Sequence, residues 1–170
     1  IFSIAILIRV IDLEIKRWYN LLKITKISKG LRGDKMAYKW TDDLLTGNIQ
    51  IDTEHKELIK AINDLLEACS KGKGRAELEK TVNFLSSYTR THFGHEEVLQ
   101  KKYNYPDYNN HKKYHQHFID TVDNIQKKLL AEGPSIVLVG EINSKVANWI
   151  ISHIKREDVK VAAHIRNNSK

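Results

Sequence analysis

The sequence predicts an all-α fold, an up-down-up-down four-helix bundle. Two observations carry this prediction. Apolar residues recur at three- and four-residue spacing through residues 50–160, which is the pattern of helices that bury one face. Segments containing glycine or proline interrupt this pattern three times and divide it into four stretches. Because the connections are short, consecutive helices are expected to be antiparallel neighbours.

The first two predicted helices are separated by residues 71–74, which read Lys-Gly-Lys-Gly. Asp52 is the expected N-cap of the first helix. The predicted buried face of the first helix consists of Leu58, Ile62, Leu65 and Leu66. The predicted buried face of the second helix consists of Leu78, Val82, Leu85 and Leu99.

The third and fourth predicted helices are bounded by the prolines Pro106 and Pro134, which both lie where a helix has to end. The predicted buried face of the third helix consists of Phe118, Val122, Ile125 and Leu129. The predicted buried face of the fourth helix consists of Ile142, Val146, Trp149 and Ile150. No alternating pattern of comparable length favours a strand.

Polar residues interrupt all four apolar faces. Continuing each face by steps of three and four residues reaches His55, His92, Glu96, His111, His115 and His153. A single histidine on such a face is more often a hydrogen-bonded core residue, but burying this many polar groups without partners would cost several kcal/mol for each. The pairs at 92/96 and 111/115 are four residues apart, so both members can hold one ion. The sequence therefore predicts a metal centre in the core.

Asp158 is a further candidate whose role the spacing leaves open. It follows His153 by five residues, or about 500° of α-helix, which points it roughly 140° away from that histidine. It reaches the same centre only if the last turn is π-like or if the helix ends there. His95, His117 and His164 lie off the apolar faces and are expected to face solvent.

Several other kinds of site are not supported by the sequence. It contains no Glu-x-x-His pair, which the carboxylate-rich ferritin-like di-iron proteins use. The stretch 95–99 lacks the second histidine of a zinc protease helix. No glycine-rich phosphate loop and no serine–histidine nucleophile arrangement is present, so no catalytic residues are predicted.

The formal charge of +7 does not indicate a nucleic-acid-binding protein, because it is unevenly distributed. Residues 1–35 contain eight Lys and Arg against three acidic residues, whereas the other 135 residues contain 20 basic and 18 acidic ones. No stretch approaches the roughly 18–20 apolar residues that span a bilayer, so no membrane contact is expected for the main domain. Cys69 is the only cysteine, which fits a reducing compartment and predicts a cytoplasmic protein.

Three segments are expected: an N-terminal extension at 1–35, a four-helix domain at 36–165 and a tail at 166–170. Met36 is the only methionine, and the text that follows it is a plausible native start. Residues 1–35 are therefore interpreted as a non-native segment or a mis-assigned start. The alternative interpretation is a genuine basic, amphipathic extension, with Trp18 and Tyr19, that contacts a membrane surface.

Four motifs resemble the successive motifs of hemerythrins, most closely their single-domain bacterial members. They are Ile51-Asp52-Thr53-Glu54-His55, His92-Phe93-Gly94-His95-Glu96-Glu97, Tyr105-Pro106 followed by His111 and His115, and His153 followed by Asp158. The resemblance covers about residues 38–160 and implies a four-helix bundle that binds dioxygen at two iron ions.

The resemblance also implies a role for each candidate residue. His111, His115 and His153 would bind one iron, and His55 and His92 the other. Glu96 and Asp158 would bridge the two irons, with an oxo or hydroxo group as the third bridge. The residues implied to line the oxygen pocket are Phe93, Trp149 and Ile150. Val161 departs from the family, which often has tyrosine at this position.

Reversible oxygen binding, for carriage or storage, is the leading functional prediction. A centre with five histidines and only two carboxylates is less able to stabilise highly oxidised iron, which favours binding oxygen over cleaving it. The alternatives are sensing of oxygen, nitric oxide or redox state, an enzyme such as a peroxidase or nitric-oxide reductase, and iron storage or repair. The predicted partner is dioxygen, and a homo-oligomer or a redox partner stays open.

Overall fold

The computed structural model describes residues 37–169. Three long helices follow a short 3-10 turn at Asp42–Leu44: α1 at Ile49–Ser70, α2 at Gly74–Lys102 and α3 at Tyr108–Glu132. The expectations for residues 1–35, and for a native start at Met36, lie outside the described residues.

The fourth helix, α4, is a helical stretch over residues 136–168 in which α-helical and π-helical segments alternate. Its segments are α-helical Ile136–Glu141, π-helical Ile142–Ala147, α-helical Asn148–His153, π-helical Ile154–Asp158 and α-helical Val159–Asn168. The second π segment matters for the site described below, because it separates His153 from Asp158.

Short connections join the helices, and residues with positive φ lie in all three. Gly72 has φ of 74° and Gly133 of 76°, and in the connection between α2 and α3 the residue with positive φ is Asn104, at 51°. Glycine and asparagine tolerate this left-handed conformation, so the chain reverses within a few residues. Helix α2 packs against α1 and α3, and α4 packs against α1 and α3. The predicted all-α, four-helix bundle is confirmed.

The core consists largely of the residues that the spacing predicts. The buried members of the predicted faces are Leu58, Ile62, Leu65, Leu78, Val82, Leu85, Phe118, Val122, Ile125, Leu129, Ile142, Val146 and Ile150. Leu66, Leu99 and Trp149 are only partly buried. Fully burying one aliphatic side chain contributes about 1.5–3 kcal/mol, so this interior supplies most of the stabilisation of the bundle.

The predicted N-cap of α1 was wrong. The helix begins at Ile49, and its N-cap is Asn48, whose side-chain oxygen accepts hydrogen bonds from the backbone N–H groups of Gln50 and Ile51. Asp52 lies one turn into the helix. Its carboxylate instead accepts hydrogen bonds from the backbone N–H of Thr46, at 2.8 Å, and of Gly47, at 3.1 Å, and so fixes the segment that enters the helix.

Candidate metal centre

Side chains from all four helices meet in one buried cluster. Helix α1 contributes one residue to it, and the other three helices contribute two each. The cluster consists of His55, His92, Glu96, His111, His115, His153 and Asp158. All seven residues are buried, and the most exposed of them retains only 6% of its accessible surface. The structure therefore brings together all seven candidate metal ligands.

The carboxylate of Glu96 faces histidines on both sides. Its Oε1 atom lies 3.4 Å from Nε2 of His55 and 3.6 Å from Nε2 of His92. Its Oε2 atom lies 3.2 Å from Nε2 of His115 and 3.8 Å from Nε2 of His111. The two oxygens of one carboxylate thus face two different groups of imidazoles. A carboxylate that bridges two cations would need this arrangement.

Asp158 has the same arrangement. Its Oδ2 atom lies 3.3 Å from Nε2 of His55, whereas its Oδ1 atom lies 3.1 Å from Nε2 of His153 and 3.4 Å from Nε2 of His111. The cluster therefore divides into a group of three histidines and a group of two histidines, and the same two carboxylates face both groups.

The π-helical segment Ile154–Asp158 explains how Asp158 enters the cluster. The backbone N–H of Val159 donates to the carbonyl of Ile154, five residues earlier, which is the hydrogen bond of a π turn. A turn that closes over five residues brings side chains five apart closer to one face. Of the two possibilities left open by the spacing, a π-like turn or a helix end, the structure has the π turn.

The electrostatics of the cluster favour ionised carboxylates. Burial would raise the pKa of Glu96, but the imidazoles of His92, His111 and His115 hold it well below its usual range. Burial and Glu96 would both raise the pKa of Asp158, but His153 and His55 lower it below its usual range. Two anionic groups are therefore held inside the bundle, and they need compensating positive charge.

In the protein alone, the histidines provide that charge by binding protons. Burial would lower the pKa of His55, but the carboxylates of Asp158 and Glu96, 3.3 and 3.4 Å from its Nε2 atom, raise it to about 9. The pKa of His111 is also raised, since Glu96 and Asp158 outweigh its burial. The pKa of His115, in contrast, is lowered by burial. A metal cation that binds here takes over the role of these protons, so binding releases protons.

Several buried polar atoms of the cluster have no hydrogen-bond partner, which indicates whether the cluster could bind cations. Those with no hydrogen-bond partner in the cluster include Nε2 of His55, His111, His115 and His153, Oε2 of Glu96 and both carboxylate oxygens of Asp158. Buried polar atoms are nearly always hydrogen-bonded, and these converge on one place. Imidazole nitrogens and carboxylate oxygens are common ligands of iron, so the donor set fits two cations.

Glu54 supports one of these histidines from outside the cluster. Its Oε2 atom lies 2.8 Å from Nδ1 of His92, and its Oε1 atom lies 2.7 Å from Nδ1 of His95. Gln50 donates to the same Oε1 at 3.0 Å. Burial opposes the ionisation of Glu54, but the bonds to His92, Gln50 and His95 lower its pKa to about 2. An anionic acceptor at Nδ1 directs Nε2 of His92 towards the cluster.

Glu97 contacts His115 in the same manner, with Oε1 3.2 Å from Nδ1. The spacing of the apolar faces predicts no role for Glu54 or Glu97, although both lie within the motifs that resemble those of hemerythrins. Each adjoins a predicted ligand, which places it about 100° around the helix and off the apolar face. A glutamate next to a predicted ligand is the signal that would have identified both.

The histidines expected to face solvent differ in their surroundings. His117 is exposed, as predicted. His95 exposes 42% of its side chain, as predicted, although its ring also bonds to Glu54 on α1. The prediction was wrong for His164, which is part-buried with Nε2 2.8 Å from the carbonyl oxygen of Tyr103. Both partners lie outside the histidine's own helix, which a pattern within one helix does not reveal.

Aromatic rings cover the three-histidine side of the cluster. The ring of Phe93 stacks on His115 with a centroid distance of 3.9 Å and an interplanar angle of 7°. The ring of Trp149 stacks on His153 at 4.2 Å and 12°. Phe118 contacts both aromatic rings. Ile150 follows Trp149 in the sequence and is buried in the core. These contacts exclude water from the imidazoles.

Comparison with known proteins now identifies the family. Residues 46–165 match the family model described as the hemerythrin HHE cation binding domain. The chain belongs to the hemerythrin family. It is 32% identical over 128 residues to the bacteriohemerythrin of Pseudomonas paraeruginosa, covering 75% of this chain and 81% of the relative. It is 33% identical over 126 residues to the myohemerythrin of Theromyzon tessulatum, covering 72% of this chain and 89% of the relative.

A third hemerythrin relative is the bacteriohemerythrin of Stenotrophomonas maltophilia, 29% identical over 127 residues, covering 75% of this chain and 80% of the relative. Membership of the hemerythrin family supports a di-iron, oxygen-binding protein. Among the residues that the structure describes, no helix combines the length and the apolar character needed to cross a membrane.

Proposed function

We propose that this protein binds dioxygen reversibly at a non-haem di-iron centre and acts as an oxygen carrier or store. One observation carries the proposal: five buried histidines are divided three and two, and the same two carboxylates face both groups. An even division would give two equivalent ions. The uneven division leaves one ion with fewer protein ligands, and an exogenous molecule can bind there.

The distances within the cluster support one ligand assignment. His111, His115 and His153 would hold one iron, and His55 and His92 the other. Glu96 and Asp158 would bridge the pair, together with an oxo or hydroxo group. The three-histidine group would give its ion one more protein ligand than the two-histidine group, so the ion held by His55 and His92 would be the one that binds an exogenous molecule. When bound, the two iron ions would supply the electrons for reversible binding of dioxygen.

The surrounding side chains would keep this chemistry reversible. Phe93, Trp149 and Ile150 would form the oxygen pocket. The ring of Phe93 stacks on His115 and also lies 5.5 Å from the ring of His92, so this apolar surface extends from the three-histidine group to the two-histidine group. These three side chains neither donate nor accept protons in an oxygen-cleaving reaction. Glu54 and Glu97 hold the rings of His92 and His115 in place. We therefore propose binding without catalysis, in the cytoplasm as the lone Cys69 suggests.

The experiment is anaerobic reconstitution of the full chain with ferrous iron, followed by exposure to air and purging with argon. The visible spectrum should change on exposure and return on purging over several cycles. His153→Gln should abolish the cycle, whereas His117→Gln, at an exposed histidine, should preserve it. Irreversible oxidation at the first exposure would contradict reversible binding and would favour sensing or iron storage. One zinc ion and no iron would contradict the di-iron centre itself.

A further inference from the structure

A cavity of about 140 Å³ adjoins the carboxylate side of the centre. Its lining extends from the buried residues Glu96 and Asp158 to Gly47 and Arg166, which are exposed. The proposed oxygen pocket residues do not line it, so the cavity approaches the centre from a different side. The cavity therefore extends from the protein surface to the two residues whose carboxylates face the histidines.

One polar side chain in this cavity has no partner. Gln100 lies one helical turn after Glu96, on the same side of α2. It is fully buried, and neither its amide nitrogen nor its amide oxygen has a hydrogen-bond partner in the protein. The converging histidines account for the unpartnered atoms of Glu96 and Asp158, but the amide is not part of that cluster. An amide left without a partner would destabilise the fold, and a partner inside the adjoining cavity would offset that cost.

Small side chains of α4 leave this space open. Val161 and Ala162 line the cavity and are both 7% exposed. A larger side chain at position 161 would fill part of the space. Water takes up about 30 Å³ per molecule in the liquid, so a cavity of this size accommodates several molecules.

We propose that this cavity is a hydration site, in which Gln100 holds ordered water against the outer faces of Glu96 and Asp158. Gln100 is then a positioning residue that acts on the carboxylates through water. The ligand is water because the amide both donates and accepts hydrogen bonds, and water complements both groups. The cavity and the unpartnered amide are the evidence for the hydration site, which does not depend on a bound metal.

The effect on the metal centre rests on the proposed di-iron function. A water molecule can accept a hydrogen bond from the amide N–H group or donate one to the amide oxygen. In either case it still has an O–H group that can donate to a carboxylate oxygen. A hydrogen bond to a carboxylate ligand lessens the negative charge that the ligand donates to iron, which favours the reduced state. Removing the amide or the water should therefore shift the midpoint potential of the centre to lower values.

The first test is a crystal structure of the full chain, metal-free and iron-loaded, at a resolution that shows ordered water. Water within hydrogen-bond distance of the Gln100 amide supports the proposal in either form. An empty cavity, or an amide bonded directly to Glu96, to Asp158 or to a metal ion, overturns it. The metal-free crystal separates this proposal from the di-iron function, because failure to bind iron leaves the water site testable.

The second test compares Val161→Phe with Val161→Tyr, which differ only by a hydroxyl group. The phenylalanine ring displaces water without replacing its hydrogen bonds, whereas the tyrosine hydroxyl restores one. In the iron-loaded chain, Val161→Phe should lower the midpoint potential more than Val161→Tyr does. If the ring prevents folding, Gln100→Met provides the same information, because it keeps the length of the side chain and removes the amide. An unchanged potential in Gln100→Met would overturn the positioning role.

Discussion

The Oδ1 atom of Asp158 lies 3.1 Å from Nε2 of His153, although the five-residue spacing of the two would point them apart on an ideal α-helix. The π-helical segment that joins them is what brings both into one cluster. Helix α4 thus contributes a histidine to one group and a carboxylate that faces both groups. Single π turns inside α-helices occur frequently at functional sites.

The first prediction concerns this carboxylate. Asp158→Asn keeps the side-chain volume but removes the negative charge and one of the two anionic oxygens that face the histidines. We expect the variant to lose at least one ion of the proposed pair, measured by elemental analysis after reconstitution. The control is Glu157→Gln, because Glu157 is the adjacent residue and its carboxylate pairs with Lys160. Full metal content in Asp158→Asn would contradict a bridging role.

The second prediction concerns the support of His92 by Glu54. Glu54→Ala removes the anionic acceptor 2.8 Å from Nδ1, so the imidazole loses its fixed orientation. Loss of such an outer hydrogen bond typically weakens metal binding about 10–100-fold, and we expect a decrease in that range in a competition titration. Gln50→Ala removes a different partner of the same carboxylate and should have a much smaller effect. Equal effects of the two substitutions would argue against the orienting role.

The third prediction is a pH dependence of the stability of the metal-free protein. The pKa of His55 is raised to about 9 from its ordinary value of 6.5, so its stabilising contribution is complete below pH 6.5 and is lost as the pH rises towards 9. This difference in pKa corresponds to roughly 3 kcal/mol. Urea unfolding should show a loss of stability over this interval. His55→Gln, which does not titrate, should flatten that loss.

The iron-loaded protein provides the complementary result. A cation replaces the protons on the imidazoles, so the alkaline loss of stability should be smaller than in the metal-free protein. The same loss in both forms would mean that the histidines of the cluster are not where the metal binds.

The fourth prediction concerns the aromatic cover. Phe93 stacks on His115 and is 4% exposed, so Phe93→Leu opens space beside the ligands and admits water. We expect autoxidation of the oxygenated protein to become several-fold faster, as measured by the decay of its visible spectrum. Phe84→Leu is the matched control, since Phe84 stacks on Tyr88 outside the cluster. Equally fast decay in both variants would indicate a loss of general stability instead.

Much of this molecule could be predicted because its helices follow a regular period. The spacing of apolar residues determined the four helices, and the histidines that interrupt it determined most of the cluster. The role of Asp158 could not be derived in this way, because a π turn changes the period only locally. The contacts of Glu54 and His164 were missed because their partners lie outside their own helices, and the spacing of residues along one helix gives no information on distances across the bundle.

The start of α1 was misjudged for a local reason. Asn48 and Asp52 are both of the residue types that favour the N-cap, so each could mark the start of the helix. Asn48 caps the helix, and Asp52 fixes the preceding turn through Thr46. When two possible N-cap residues lie one turn apart, the packing of the segment before the helix determines which of them begins it.

The amount of dioxygen that the protein returns per iron tests the central claim most directly. The measurement loads the full chain with ferrous iron, saturates it with oxygen, and collects the gas released under argon while iron is determined in the same sample. Reversible binding at a di-iron centre predicts the return of one dioxygen for every two irons, with the protein ready for another cycle. No released oxygen, or a protein that holds a single metal ion, would contradict the account.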